Sequence, residues 1–503
     1  MITLKKPTDI TWQTVEAVAY DHVPLAIDET LLAQVNQGWV DFLYLIAQEV
    51  PCYGVTTGLG TLVNTTLTEA ERADLPHNIL RARAAAIGPP LPKPVARATM
   101  VIRLVNFLSG LDGISPDLCR FLVARLNDDF TPWIPSQGHG MAADATANTH
   151  AFQTFIGEGF VFGPDNQRQP AAAALAERGV VPYQLGPKEG LALLNGVTAA
   201  PAYALDAYRQ LMQQLTLANV VAAVSMEGLA VPKDAIDPAL RLALPEPGVL
   251  VITEALQGLM ANSRVRPVKL QAPVSYRVVP QVHGALHDAL QNLRQRIEIA
   301  LTSFSDNPLM VRDDSPQGGR FLSVGLFHNQ HLVNQVEQVA LALAHVGCLS
   351  ERRLHRLLNA QDTGLTPQLA ARPGLDAGLV VAHKASLGLA ARLRLLAQPI
   401  SLSTGDSSGG QEDYMSLALP AIARLYDMAE LVTSMLAYEL LAGLVALDQR
   451  TARPGDGVEA VRTYVRQSIA PLHQDRSPGP DVEQLREMLH SKLFHDILST
   501  ARS

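Results

Sequence analysis

Cysteine is scarce in this chain: Cys52, Cys119 and Cys348 are the only three in 503 residues, far apart and in no C-x-x-C spacing. An odd, scattered set excludes a disulfide framework and a thiolate metal knuckle, and it fits a reducing cytoplasm. A basic stripe is missing too. Lysine and arginine number 40 against 48 acidic residues, for a formal net charge of −8, and they are spread along the chain, which argues against nucleic-acid binding. The opening Met1-Ile-Thr-Leu-Lys-Lys6 is not followed by the apolar stretch of a signal peptide. Charge-free apolar runs of membrane length are also lacking. The most apolar region, Met415 to Leu447, carries Arg424, Asp427, Glu430 and Glu439, and reads as a buried helix. The expectation is a soluble, cytoplasmic protein with no nucleic-acid or membrane partner.

Linkers are absent as well, so a length that suggests roughly three domains resolves into one elongated body with subregions. We expect an N-terminal region over 1–200, a central long-helix bundle over 201–450 and a C-terminal helical region over 451–503. The two-residue alternation of strands is rare, whereas steps of three and four recur. Leu31, Leu32, Val35, Trp39, Leu43 and Ile46 predict a helix from about Asp28 to Val50. Ser115-Pro-Asp117 starts another, with serine as N-cap and proline at the first turn. Leu332, Val336, Val339, Leu343 and Val346 form the seam of a bundle. The fold class is therefore mainly α, with helices long enough to need lateral partners.

Chemistry-bearing residues interrupt this helical chain at a few places. Pro51-Cys-Tyr-Gly-Val-Thr-Thr-Gly-Leu-Gly60 is a glycine-punctuated loop with one large hydroxyl side chain, Tyr53, and has the composition of a lid. Gly138-His-Gly-Met-Ala-Ala-Asp144, followed by His150 and Gly157-Glu-Gly159, is polar and small where its surroundings are apolar. Lys188-Glu-Gly-Leu-Ala-Leu-Leu-Asn-Gly196 puts Asn195 in an apolar run, where an amide needs a hydrogen-bond partner. His139, Asp144 and His150 have no recognised metal spacing, so no metal is expected.

These segments, with Leu75 to Gly88, Gln271 to Val282, Ser305-Asp-Asn-Pro-Leu309 and Gln411-Glu-Asp413, resemble the aromatic amino-acid and histidine ammonia-lyase family from about Val35 to Leu447. A C-terminal continuation through Val458 to Leu498 is similar. The resemblance implies the ammonia-lyase fold, a homotetramer and a small-molecule substrate. It implies Tyr53 as acid/base with Glu412 as the acidic member, and Arg277 as the grip on a substrate carboxylate. It further implies Arg83 at the far end of the substrate, and Asn195, Gln281, Asn307 and Gln411 as polar contacts.

The match departs from the family at its centre. Members cyclise Ala-Ser-Gly into an electrophilic methylidene-imidazolone, and Met141, Ala142 and Ala143 stand in those places. Ala142 has no hydroxyl to lose and Ala143 crowds the ring closure, so the expectation is a degenerate site and no cofactor. Ala272 and Val274 replace the family's Asp and Tyr, and Leu326 and Asn329 depart from Gly-Asn-Phe-His-Gly. His139 is a candidate additional acid/base, and Tyr276 a candidate replacement hydroxyl. The leading expectation is an electrophile-independent lyase, isomerase or cyclase acting on an activated carboxylate in specialised metabolism. A non-catalytic binding or partner subunit is the alternative, and ordinary ammonia elimination has the least support.

Overall fold

The computed structural model describes residues 1–491, so the end of the C-terminal expectation, beyond residue 491, lies outside the described residues. The structure is mainly helical, and the helices begin where local chemistry says they should. Helix α1 (Glu29–Ala47) opens on Asp28, whose carboxylate accepts from the Thr30 N–H, satisfying a donor that has no partner inside the helix. Its buried face is Leu31, Leu32, Val35, Phe42 and Leu45, while Leu43, expected inward, is exposed. Helices α2 (Glu69–Arg81), α3 (Lys93–Phe107) and α4 (Pro116–Asn127) follow. Helix α2 starts with a capping box in which Thr68 and Glu71 each bond the other's backbone N–H.

The chain divides into two compact units. The first comprises Met1–Ala207, Leu293–Val336 and Pro399–Ala423; the second comprises Tyr208–Asn292, Glu337–Gln398 and Arg424–Ser503. Every strand among the described residues belongs to the first unit, in four two-stranded sheets. Ile2–Leu4 pairs parallel with Leu25–Ile27, and the other three pairs are antiparallel: Ile87–Pro90 with Pro135–Gln137, Phe160–Phe162 with Arg168–Pro170, and Leu309–Arg312 with Gly319–Leu322. Strands this short leave little periodicity to read.

Within the first unit, Phe42, Leu45, Cys52, Val55 and Met310 form one buried cluster, with Trp39 stacked on Phe42 at 5.7 Å between ring centroids. The cluster takes in Cys52 and Val55, so it fixes the loop on both sides of Tyr53. Helices α5 (Ala145–Phe152) and α6 (Glu189–Leu194) complete the surroundings of the site. Gly190 of α6 lies against α2, where an added Cβ would stand 2.3 Å from the Pro76 carbonyl oxygen. No other residue allows that approach.

Four long helices follow: α7 (Ala199–Leu229), α8 (Val279–Ala300), α9 (Gln330–Leu357) and, after the shorter α10 (Val380–Leu396), α11 (Ala418–Asp448). Leu332, Val336, Val339, Leu343 and Val346 of α9 are all buried, as the seam predicts. Helices α9 and α11 are long and apolar enough to cross a membrane by length and composition, but α11 is mostly buried in the protein core. In the second unit, Arg353 and Glu439 form a fully buried two-bond ion pair at 2.6 and 2.9 Å. Such a planar fork satisfies both carboxylate oxygens at once.

Candidate active site

A cavity of about 870 Å³ in the first unit brings together Tyr53, Arg83, Asn195, Asn307, Gln411 and Glu412. Met141, Ala142 and Ala143 lie on its wall. Segments more than 300 residues apart in sequence thus converge, and each is held by a definable contact.

Tyr53 precedes Gly54, whose φ of +68° turns the loop and leaves no room for a side chain against Leu59 and Leu191. The Thr56 hydroxyl closes the turn, accepting from the Cys52 N–H at 2.8 Å. The Tyr53 oxygen accepts from the Gly60 N–H at 2.8 Å, so the loop's far end holds it in place while its own proton remains available. Arg83, just beyond α2, donates to the Ile79 carbonyl at 3.3 Å. Burial draws its guanidinium below the usual range, and the nearby Tyr53 and Glu412 act to raise it again. The phenol, guanidinium and carboxylate therefore form one electrostatic group.

The floor is fixed from behind by Asp144. Its Oδ2 accepts from the Thr198 and Ala200 N–H groups at 2.9 and 2.8 Å, at the start of α7, and its Oδ1 accepts from Asn329 Nδ2 at 2.8 Å. Burial pushes this carboxyl up to about 6, against the pull of those hydrogen bonds. His150 accepts the Ala86 N–H on Nε2 at 3.0 Å, and burial, aided by His139, lowers it to about 4.

Sequence reasoning missed several supports. Arg103 is fully buried and donates to the carbonyls of Ala192 and Asn195 at 2.8 and 2.6 Å, pinning the turn that carries Asn195. Asn195 in turn donates to the Asn307 carbonyl at 3.1 Å, and the Asn307 side-chain oxygen accepts from the Val324 N–H at 2.7 Å. Asp306 is not merely a turn residue. With Asp112 it clasps Lys188 at 2.7 and 2.8 Å, all three buried. Burial alone would lower Lys188, but the two carboxylates hold its ammonium above the usual range. The available signal was charge in apolar helix: Arg97 and Arg103 sit within a helix buried along most of its length.

Other candidates lie elsewhere. His139 is buried beside the floor and lines a separate, small cavity. Arg277 and Gln281 are exposed residues of the second unit and are not among the lining residues of the cavity. Tyr276 is fully buried there, donating its hydroxyl to the Arg353 carbonyl at 2.9 Å with the Ser225 hydroxyl alongside, so it is committed to that core. Leu326 is exposed. Among the described residues no group of three or more His, Cys, Asp or Glu could hold a metal ion.

Comparison with known proteins matches residues 10–467 to the aromatic amino acid lyase family. The chain is 33% identical over 486 residues to the histidine ammonia-lyase of Deinococcus radiodurans, covering 95% of this chain and 90% of that one. Its fold is similar to that of the tyrosine aminomutase from Streptomyces globisporus, at 26% identity and TM-score 0.89, covering 99% and 98% of the two chains. The histidine ammonia-lyase of Trypanosoma cruzi matches at 25% identity and TM-score 0.86, covering 100% and 96%.

These findings correct two expectations. The expectation of an electrophile-independent isomerase or cyclase is overturned, because several histidine ammonia-lyases, proteins of the kind that had least support, align over most of the chain. The non-catalytic alternative falls with it. The expectation of no cofactor conflicts with the same relatives, whose family works with the methylidene-imidazolone. On the floor, Met141, Ala142 and Ala143 do not fit that group as it is made from Ala-Ser-Gly. They offer no hydroxyl, and Ala142 is a buried methyl. With its helical fold and a match that spans most of its length, the chain is an enzyme of the lyase type and belongs to the aromatic amino acid lyase family.

Proposed function

We propose that this chain is an ammonia-lyase acting on a small α-amino acid, with histidine as the first substrate to test, and that the cavity around Tyr53 is its active site. The observation that carries the reading is the convergence of Tyr53, Arg83 and Glu412 on one cavity in a chain aligned over 95% of its length with a histidine ammonia-lyase. Elimination breaks a C–H bond at the β-carbon and the C–N bond at the α-carbon, forms the acrylate double bond and releases ammonia. Tyr53 and Glu412 are the proton carriers in reach: one takes the β-proton and the other supplies a proton to the departing nitrogen. Arg83 offers donors to the side chain's far end, which suits the lone-pair nitrogen of a neutral imidazole. Asn195, Asn307 and Gln411 orient the substrate's polar groups.

The carboxylate contact falls to Arg277, with Gln281 beside it. Because both are exposed and neither lines the described cavity, we assign them to the cavity of another copy in a cytoplasmic homotetramer. The test is to offer the purified chain a panel of α-amino acids, histidine first, and to quantify ammonia and acrylate together. Equimolar release of both from one of them supports the reading; no release from any member overturns it.

A further inference from the structure

His139 Nε2 lies 2.8 Å from the Pro135 carbonyl oxygen. A carbonyl only accepts, so Nε2 carries the ring proton and Nδ1 presents a lone pair. The residue is only 7% exposed, and Nδ1 has no hydrogen-bond partner. Burial lowers its pKa, which keeps the ring neutral. A buried acceptor of this kind is costly unless a donor meets it.

His139 belongs to the wall of a cavity of about 10 Å³, shared with Met141, Ala143, Asp144, Thr146, Ser416 and Leu419. That volume is about what one water-sized molecule requires, roughly 10–15 Å³ on this scale. Leu419 is in the first turn of α11, where backbone N–H groups have no acceptor inside the helix. Asp144 supplies no donor, and its two oxygens already accept three hydrogen bonds. Beside the Thr146 and Ser416 hydroxyls, which can give or take a hydrogen bond, an occupant that gives a proton to the Nδ1 lone pair and offers a lone pair to N–H groups matches the lining. Water and ammonia do both, whereas ammonium has no lone pair to offer the N–H groups.

We propose that His139 Nδ1 and the first turn of α11 form a binding site for one water-sized molecule that both donates and accepts hydrogen bonds, water or ammonia, directly behind the floor of the catalytic cavity. Met141 and Ala143 line both cavities, so the site adjoins the place where ammonia is released. His139 is then a positioning residue that holds a protic molecule against the floor, and it need not touch substrate. The ammonia arm rests on the lyase reading; the water arm does not.

Neutron diffraction of the full chain tests this without turnover. Crystals are grown in heavy water from ammonium-free sodium buffer, and a second set is soaked in deuterated ammonium chloride at alkaline pH. The expected map shows deuterium on His139 Nε2, none on Nδ1, and one occupant directing a deuterium at Nδ1. Two deuteriums on it identify water, and three in the soaked crystals identify ammonia. Deuterium on Nδ1, or no occupant in either set, overturns the proposal. In His139→Phe the occupant should be lost; its persistence would show that His139 does not hold it. If that variant fails to fold, the wild-type map alone decides.

Discussion

Asn329 donates from Nδ2 to Asp144 Oδ1 at 2.8 Å, across 185 residues of chain, and both side chains are buried. In sequence Asn329 reads as a departure from a glycine. In the structure it completes the hydrogen bonding of the carboxylate immediately after the floor tripeptide. Removing it as Asn329→Ala leaves Asp144 Oδ1 buried and unpaired, at a cost of about 1–3 kcal/mol. Urea unfolding should show that loss as a lower midpoint with an unchanged slope. An unchanged midpoint would mean that the bond adds nothing.

His150 predicts a pH dependence of stability. Its folded pKa of about 4 lies below the reference 6.5, so the unfolded chain binds the proton more readily between those values. Its contribution is complete above pH 6.5 and is lost as pH falls toward 4. Asp144, raised from 3.8 to about 6, has the opposite slope, losing stability as pH rises through that window. The difference between wild type and His150→Gln cancels the Asp144 part, because the glutamine oxygen can still accept from Ala86. The variant should lose less stability than wild type between pH 6.5 and 4. Parallel stability curves would contradict the assignment.

The placement of Tyr53 in the cavity and Arg277 outside its lining predicts complementation between chains. Tyr53→Phe and Arg277→Ala should each be nearly inactive alone. Unfolded together and refolded as a mixture, they should regain part of the wild-type rate, because some sites then combine an intact Tyr53 with an intact Arg277 from a different copy. No recovery in mixed oligomers would place both residues on one chain's site or remove Arg277 from the chemistry.

How far the sequence reveals all this depends on the kind of signal. The seam from Leu332 to Val346 is legible because a buried helical face repeats at three and four residues, and its five members are indeed buried. Tyr53, Arg83, Asn195, Asn307, Gln411 and Glu412 can be singled out from local segments, and the cavity gathers them all. The supporting network was not legible. Periodicity cannot say that Arg103 turns inward to two carbonyls, or that Lys188 meets carboxylates from residues 112 and 306. Those contacts form only when distant segments meet. Tyr276 shows the converse: proximity in sequence to a lost hydroxyl suggested a replacement, and packing committed its hydroxyl elsewhere.

Ammonia elimination in this cavity, as proposed, requires Tyr53 as a proton carrier. The most direct measurement compares wild type with Tyr53→Phe on histidine, following ammonia and acrylate in the same reaction alongside the unfolding midpoint. Wild type should give equimolar products, and the variant a rate lower by about 10²- to 10⁴-fold with the midpoint unchanged. Undiminished turnover in Tyr53→Phe, or wild type that releases acrylate without ammonia, would contradict the proposal.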